Sequence, residues 1–240
     1  MTMKTVLITG ANKGIGFETA KQMAQLSYFV YLGSRDKTRG SDAVNKLKGS
    51  GISNVELIEI DVTNLDSIEK ARQELETKIE ALDVLINNAA ISGGPNQGFS
   101  SGEIKNLRKV FETNFFGAVQ TTQQFLPLLK KSDEPVIVNV SSELGSLTTH
   151  SSTLNPNYKI YDAYSSSKTA LNAFTVMLAN KFKDTNFKIN SVSPGYTATD
   201  LNQFKGTQTV EQGAKSIVKF ATLDQDGPTG KFFREKEIPW

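Results

Sequence analysis

The stretch Val6-Leu7-Ile8-Thr9-Gly10-Ala11-Asn12-Lys13-Gly14-Ile15-Gly16 decides how the rest of this 240-residue chain is read. Three apolar residues run into a glycine-rich turn, and the turn opens a helix-patterned stretch. That is the layout of a strand-turn-helix able to hold a dinucleotide. A side chain at Gly10 or Gly14 would hold a pyrophosphate away from the backbone N–H groups of the helix N-terminus, where the helix dipole favours negative charge. Gly16 lets the helix pack close on the strand. Glycine-rich turns also serve as plain connections, and residues elsewhere in the chain must decide between the two uses.

Outward from the turn, short apolar runs alternate with helix-patterned stretches. Strands are expected near 5–8, 29–32, 55–60, 84–87, 136–140 and 188–192, with helices near 14–26, 37–48, 65–79, 104–130 and 163–182. Right-handed crossovers between successive strands place helices on both faces of a parallel sheet. The expected fold is therefore α/β, a single Rossmann-like, doubly wound parallel sheet, with residues 1–240 forming one domain. Glycine, proline and serine mark 92–102 as a loop, and 147–160 breaks the same rhythm. Both come after strands, on the edge where open α/β sheets bind ligands. Together with 196–210 they are the expected substrate loops.

The 27 basic and 25 acidic side chains nearly cancel, to a net +2. No global field then draws the chain to nucleic acid or to an anionic bilayer. The absence of cysteine excludes disulfides, a thiolate nucleophile and cysteine-ligated metal. No apolar run approaches the roughly 20 residues that span a bilayer, and residues 1–9 read as a strand rather than a signal peptide. A cytoplasmic protein is expected. His150 is the lone histidine, and no GxSxG pattern accompanies it, which argues against a serine hydrolase. Glu56, Glu59 and Asp61 obey strand alternation rather than any ligand spacing, so no metal is expected.

Further along lie Asn114, Ser141-Ser142 and Tyr164-Ser165-Ser166-Ser167-Lys168. With the opening turn, this set resembles the short-chain dehydrogenase/reductase family. Asp61-Val62-Thr63 is similar to its adenine-side segment, Asn87-Asn88-Ala89-Ala90 to its NNAG segment, and Pro194-Gly195 with Thr199 to its PGxxxT segment. Within the family the chain looks most like the NADPH-dependent carbonyl reductases, through Asn12 to Gly16, Ser34 to Gly40, Thr113 to Gly117 and the final Trp240.

The resemblance implies a nicotinamide coenzyme held by Gly10, Asn12, Lys13, Gly14, Ile15 and Gly16 in the turn, with Asp61 and Val62 at the adenine. It adds Asn88 and Ala89 at the ribose, and Pro194, Gly195, Thr197 and Thr199 near the nicotinamide and pyrophosphate. Ala90 stands where the family usually has glycine, which puts the local backbone angle in question. At the end of the second strand an acidic side chain would bond a free ribose 2′-OH and repel a 2′-phosphate. Here Ser34 and Arg35 occupy that place, and Lys13 offers a second cation, so NADP(H) is expected. Asp36 would reverse this choice if the strand ended later.

Carbonyl reduction needs a hydride donor at carbon and a proton donor at oxygen. Tyr164 is the candidate acid, and Lys168 at i+4 lies on the same helix face, where its charge would favour the phenolate. Both also count as coenzyme contacts, Lys168 through the nicotinamide ribose. The resemblance implies that Ser142, rather than Ser141, bonds the substrate oxygen, and that Asn114 disturbs its helix and holds a water linking Lys168 to solvent. The expected activity is reversible reduction of a small-molecule ketone or aldehyde with NADPH. A narrow enzyme for a sugar, acyl or terpenoid substrate, and a non-catalytic NADP(H)-binding regulator, stay open. The insertion before Tyr164 favours a monomer over a dimer or tetramer. Trp240 either caps the substrate cleft or anchors the tail.

Overall fold

The computed structural model describes residues 3–152 and 161–240. Among the described residues, seven strands form one parallel sheet in the order β3-β2-β1-β4-β5-β6-β7. They are β1 (Thr5–Ile8), β2 (Phe29–Ser34), β3 (Val55–Glu59), β4 (Val84–Asn87), β5 (Val136–Val140), β6 (Lys188–Val192) and β7 (Phe232–Phe233). All of β1, β4 and β5 is buried, as expected where helices cover both faces. Alternation along β1 sends Val6 and Ile8 into one core and Leu7 into the other.

The first core lies under α1 (Gly14–Gln25), α2 (Lys37–Gly49) and α8 (Val210–Ala221). The second lies under α3 (Leu65–Glu76), α5 (Gly117–Leu129) and α7 (Asp162–Lys181). Leu7, Leu85 and Ile137 are fully buried in that second layer, each contributing roughly 1.5–3 kcal/mol of apolar burial. A buried polar relay also pins it. Asn87 Nδ2 donates to Thr122 Oγ1 and Asn139 Oδ1, both at 2.9 Å; Asn139 Nδ2 donates to Thr175 Oγ1 at 2.8 Å, and Thr175 Oγ1 meets Ser191 Oγ at 2.8 Å. Asn87, Asn139 and Ser191 are register partners on β4, β5 and β6, so the relay crosses three strands and binds α5 and α7 to them.

Three sequence expectations need correction. The helix expected over 104–130 is α4 (Ile104–Phe111), a π-helical turn (Glu112–Phe116) and α5. The widened turn falls around Asn114, an interior polar residue whose amide bonds elsewhere. The segment 147–160 is not loop at its start, because α6 (Leu147–Ser152) occupies it; residues 153–160 lie outside the described residues. Finally, α8 and β7 have no counterpart among the expected elements. The two-residue β7 is too short to give a period, although its Phe232 and Phe233 are buried.

Candidate active site

The sheet order reverses between β1, which neighbours β2, and β4, which neighbours β5. At that switch point the turns that leave the strands diverge and open a crevice. Gly10 has φ +63°, and a Cβ there would lie 2.9 Å from Ala89 Cα in the turn after β4. Gly14 has φ +59° and sits beside the Thr199 methyl. At Gly16 a Cβ would lie 2.6 Å from the Gly10 carbonyl oxygen, so close packing holds here as expected. Asn88 Nδ2 donates to the carbonyls of Thr9 (2.9 Å) and Gly10 (3.0 Å), which fixes the turn's shape. Ala90 does not have positive φ, so its methyl is accepted without backbone strain.

Helix α1 begins at Lys13 with no side-chain cap and no acidic residue in its first turn. Its N-terminal N–H groups are thus left facing the crevice with the dipole behind them, which fits a diphosphate. Asn12 and Ile15 are half-buried at the same turn. On the adenine side, Asp61 Oδ1 accepts from Thr63 N (2.9 Å) and Thr63 Oγ1 (2.7 Å), and Val62 is buried beside Gly117.

At the expected 2′ position, Ser34 is buried, and its hydroxyl donates to the Asp36 carbonyl at 2.8 Å. Asp36 caps α2 by accepting from Arg39 N at 3.0 Å and pairs with the Arg39 guanidinium, which gives the carboxylate a local task. Arg35 is exposed. Lys13 forms an exposed ion pair with Asp200 at 2.7 Å. Thr197 is buried, and its hydroxyl donates back to the carbonyls of Pro194 (3.1 Å) and Gly195 (3.3 Å), closing the turn after β6. A cleft of about 490 Å³ opens on the far side of α1 and includes Gly14, Phe17, Lys46, Thr199 and Phe204.

Beside the crevice, Tyr164 stands in the first turn of α7 and Ser142 lies just past β5. The Ser142 hydroxyl faces the Tyr164 phenol and acts to lower its pKa, so of the two serines it is Ser142 that lies toward the tyrosine; among the described residues the buried Ser141 hydroxyl has no hydrogen-bond partner. The Ser142 turn is pressed onto α7. A Cβ on Gly145 would lie 2.9 Å from Lys168, and the Gly145 carbonyl accepts from Thr169 Oγ1 at 3.0 Å. Arg234 bonds Glu143 at 3.0 Å from the other side.

Lys168 is buried and donates to the Val140 carbonyl at 2.7 Å. Its ammonium lies 5.7 Å from the Tyr164 ring centroid, over the face rather than at the hydroxyl. Burial pushes the phenol up to about 12, while the Ser142 hydroxyl acts in the opposite sense. Burial also pulls Lys168 down to about 7. The i+4 spacing gives the expected shared face, and in this state the ammonium directs its hydrogen bond to the Val140 carbonyl at the strand end.

The Asn114 side chain is likewise engaged. Its Oδ1 accepts from Ile91 N at 2.8 Å, and its Nδ2 donates to Ile91 O and Ser167 Oγ, both at 3.0 Å. It straps the segment after β4 to α7. Trp240 anchors the tail: its ring stacks on Phe232 at 5.5 Å, and its carbonyl accepts from Thr148 N at 2.8 Å. Gln97 has no place among the residues expected from sequence, yet it is fully buried in the 92–102 loop and bonds the start of α7. The one signal for it is that α7 begins at Tyr161 without a side-chain cap, so its N–H groups need a partner from elsewhere. Among the described residues, no three His, Asp or Glu side chains are grouped to hold a metal, and no helix is long and apolar enough to cross a membrane.

A dinucleotide crevice beside a serine, a tyrosine and a buried lysine defines an oxidoreductase. Residues 4–209 match the sequence model for short chain dehydrogenases. The chain is 34% identical to a (+)-neomenthol dehydrogenase of Capsicum annuum, with 97% of this chain and 96% of the relative covered. Among solved structures, salutaridine reductase of Papaver somniferum matches with TM-score 0.84 and 30% identity, over 97% of this chain and 99% of that one. The NADPH-bound carbonyl reductase from chicken fatty liver matches with TM-score 0.85 and 27% identity, over the whole of both chains. The chain belongs to the short-chain dehydrogenase/reductase family. It is an oxidoreductase of the kind that works with a nicotinamide coenzyme, and its reaction is, in broad terms, carbonyl reduction.

Proposed function

We propose that this chain, working as one coenzyme-binding domain, reduces a ketone or aldehyde to an alcohol with NADPH, and that Tyr164 gives the proton. The observation that carries the reading is the Ser142 hydroxyl set against the Tyr164 phenol, with Lys168 buried against the same ring. When bound, the coenzyme supplies hydride to the carbonyl carbon. Ser142 holds the carbonyl oxygen by hydrogen bonding as negative charge gathers there. Tyr164, kept protonated at neutral pH by its burial, delivers its proton to that oxygen. Lys168 sets the electrostatics around the ring and would hold the nicotinamide ribose. Asn114 fixes the backbone between β4 and α7.

Gly10, Asn12, Gly14, Ile15, Asn88, Ala89 and Thr199 would hold the coenzyme, with Asp61 and Val62 at the adenine. Preference for the 2′-phosphate rests on Lys13 and Arg35, with Asp36 occupied as a helix cap; the NADPH-bound chicken relative supports it.

Exposed Phe99, Leu147 and Tyr196 lie on three separate segments beyond strand ends, which supports a substrate of apolar bulk. The pepper and poppy relatives are named for neomenthol and salutaridine. The pepper alignment runs over 302 positions against 240 residues here, so that relative has segments without counterpart in this chain. For that reason the proposal stays with carbonyl reduction in general.

The test measures absorbance loss from NADPH, beside NADH, against aromatic and alicyclic ketones, quinones, α-keto esters and aldehydes. Turnover of several with NADPH preferred is the expected result. NADPH binding without turnover on any member would reject it in favour of a narrow enzyme or a non-catalytic binder.

A further inference from the structure

The loop 92–102 contains four glycines, a proline and three serines, a composition that would leave it free unless something ties it. What ties it is a glutamine. Gln97 is fully buried. Its Nε2 donates to the carbonyls of Ser92 (2.7 Å) and Gly94 (2.6 Å), closing the loop on itself. Its Oε1 accepts from Tyr164 N at 2.9 Å, and its own carbonyl accepts from Ala163 N at 3.3 Å. Nearby, Phe99 N donates to Asp162 Oδ2 at 3.0 Å.

These bonds fall where α7 has a deficit. The helix starts at Tyr161 with no side-chain cap, and Ala163 and Tyr164 carry first-turn N–H groups that have no partner within the helix. Gln97 satisfies both, one through its side chain and one through its backbone. An uncapped first turn frays, and here the first turn carries the phenol.

We propose that Gln97 is a positioning residue for Tyr164, holding the first turn of the catalytic helix through the Tyr164 amide and so coupling the 92–102 loop to the proton donor. The inference rests on the carbonyl-reductase reading. Since misplacement of a reacting group by about 1 Å can cost up to about 100-fold in rate, loss of the clamp acts on kcat.

The experiment compares Gln97→Met and Gln97→Glu with the parent chain. Gln97→Met is expected to lower kcat about ten-fold or more, to raise the solvent deuterium isotope effect on kcat, and to leave the Kd for NADPH within about two-fold. Gln97→Glu keeps an acceptor for the Tyr164 amide but sets an acid against the Ser92 and Gly94 carbonyls. It should therefore retain more kcat than Gln97→Met even if it melts at lower temperature. Equal or greater kcat loss in Gln97→Glu would mean that only the loop scaffold matters, and would overturn the inference. So would a Gln97→Met chain with kcat and isotope effect unchanged. In the parent, the Tyr164 amide should be protected from hydrogen exchange, and fast exchange there would overturn the inference with no variant required. A parent chain inactive on every carbonyl would sink the reductase reading itself; an active parent with indifferent variants would sink only the role of Gln97.

Discussion

At the turns after β1 and β4 the proposed site is built mainly from backbone, whereas around the end of β5 and the start of α7 it is built from side chains. The proposed coenzyme side consists of turn glycines, the N–H groups of α1 and the small Ala89, with the first turn held in shape by Asn88. The chemistry side brings Asn114, Ser142, Tyr164 and Lys168 together from the π-turn, the end of β5 and α7, each steadied by groups remote in sequence. A backbone site tolerates exchange of most side chains so long as glycine stays where φ is positive. A side-chain site fails at single positions. Binding and turnover should therefore be separable by mutation.

The largest effect should come from Tyr164→Phe, which removes only the proton donor. Turnover should fall by roughly 10²–10⁴-fold, the usual share of general acid catalysis, with NADPH affinity by fluorescence titration nearly intact; retained turnover would break the comparison. On the other side, Lys13→Ala with Arg35→Ala should weaken NADPH by roughly ten-fold or more, from the lost charge-assisted bonds, while NADH binding and kcat change little. Equal losses for the two coenzymes would remove the 2′-phosphate role.

Lys168 sharpens the comparison from stability. Its pKa is lowered from 10.5 to about 7 by burial, so between these values the unfolded chain binds a proton that the folded one does not, and stability rises with pH. The penalty for the buried cation is complete below about pH 7. Lys168→Met should thus raise the melting temperature of the coenzyme-free protein by more at about pH 6 than at about pH 10, while abolishing turnover. A pH-independent difference would contradict the burial. The smallest effect belongs to Asp200→Asn, which releases Lys13 from its exposed pair. NADPH affinity should rise by a few-fold at most, in line with the ~0.2–1 kcal/mol of such pairs, and no change would mean that Lys13 does not face the phosphate.

The backbone side is the more legible in sequence. Gly10, Gly14 and Gly16 announce themselves because close approach and positive φ admit few other residues, and the alternation of apolar runs with helix-patterned stretches gives the sheet. Ser142 and Tyr164, at a strand end and a helix start, enter as a pair through the family resemblance rather than through spacing alone. What the Lys168 ammonium touches is not legible, since i+4 spacing fixes a face of a helix and not which acceptor wins. Ser34 and Thr197 show a second limit, since a short hydroxyl side chain next to a turn can bond its own backbone as readily as a ligand. Gln97 is illegible as a cap because its partner lies 67 residues away.

The polar relay from Asn87 through Asn139 and Thr175 to Ser191 also fixes a length. Apolar side chains between α7 and the sheet would pack nearly as well after a small slide of the helix along its axis, but the bonds of Asn139 and Ser191 to Thr175, at 2.8 Å each, would not survive it. Thr175 lies about 16 Å along the helix from Tyr164, at about 1.5 Å per residue. The relay works as a depth gauge, setting how far the phenol stands above the strand ends, so the reach of the acid is calibrated by buried groups in the floor of the molecule.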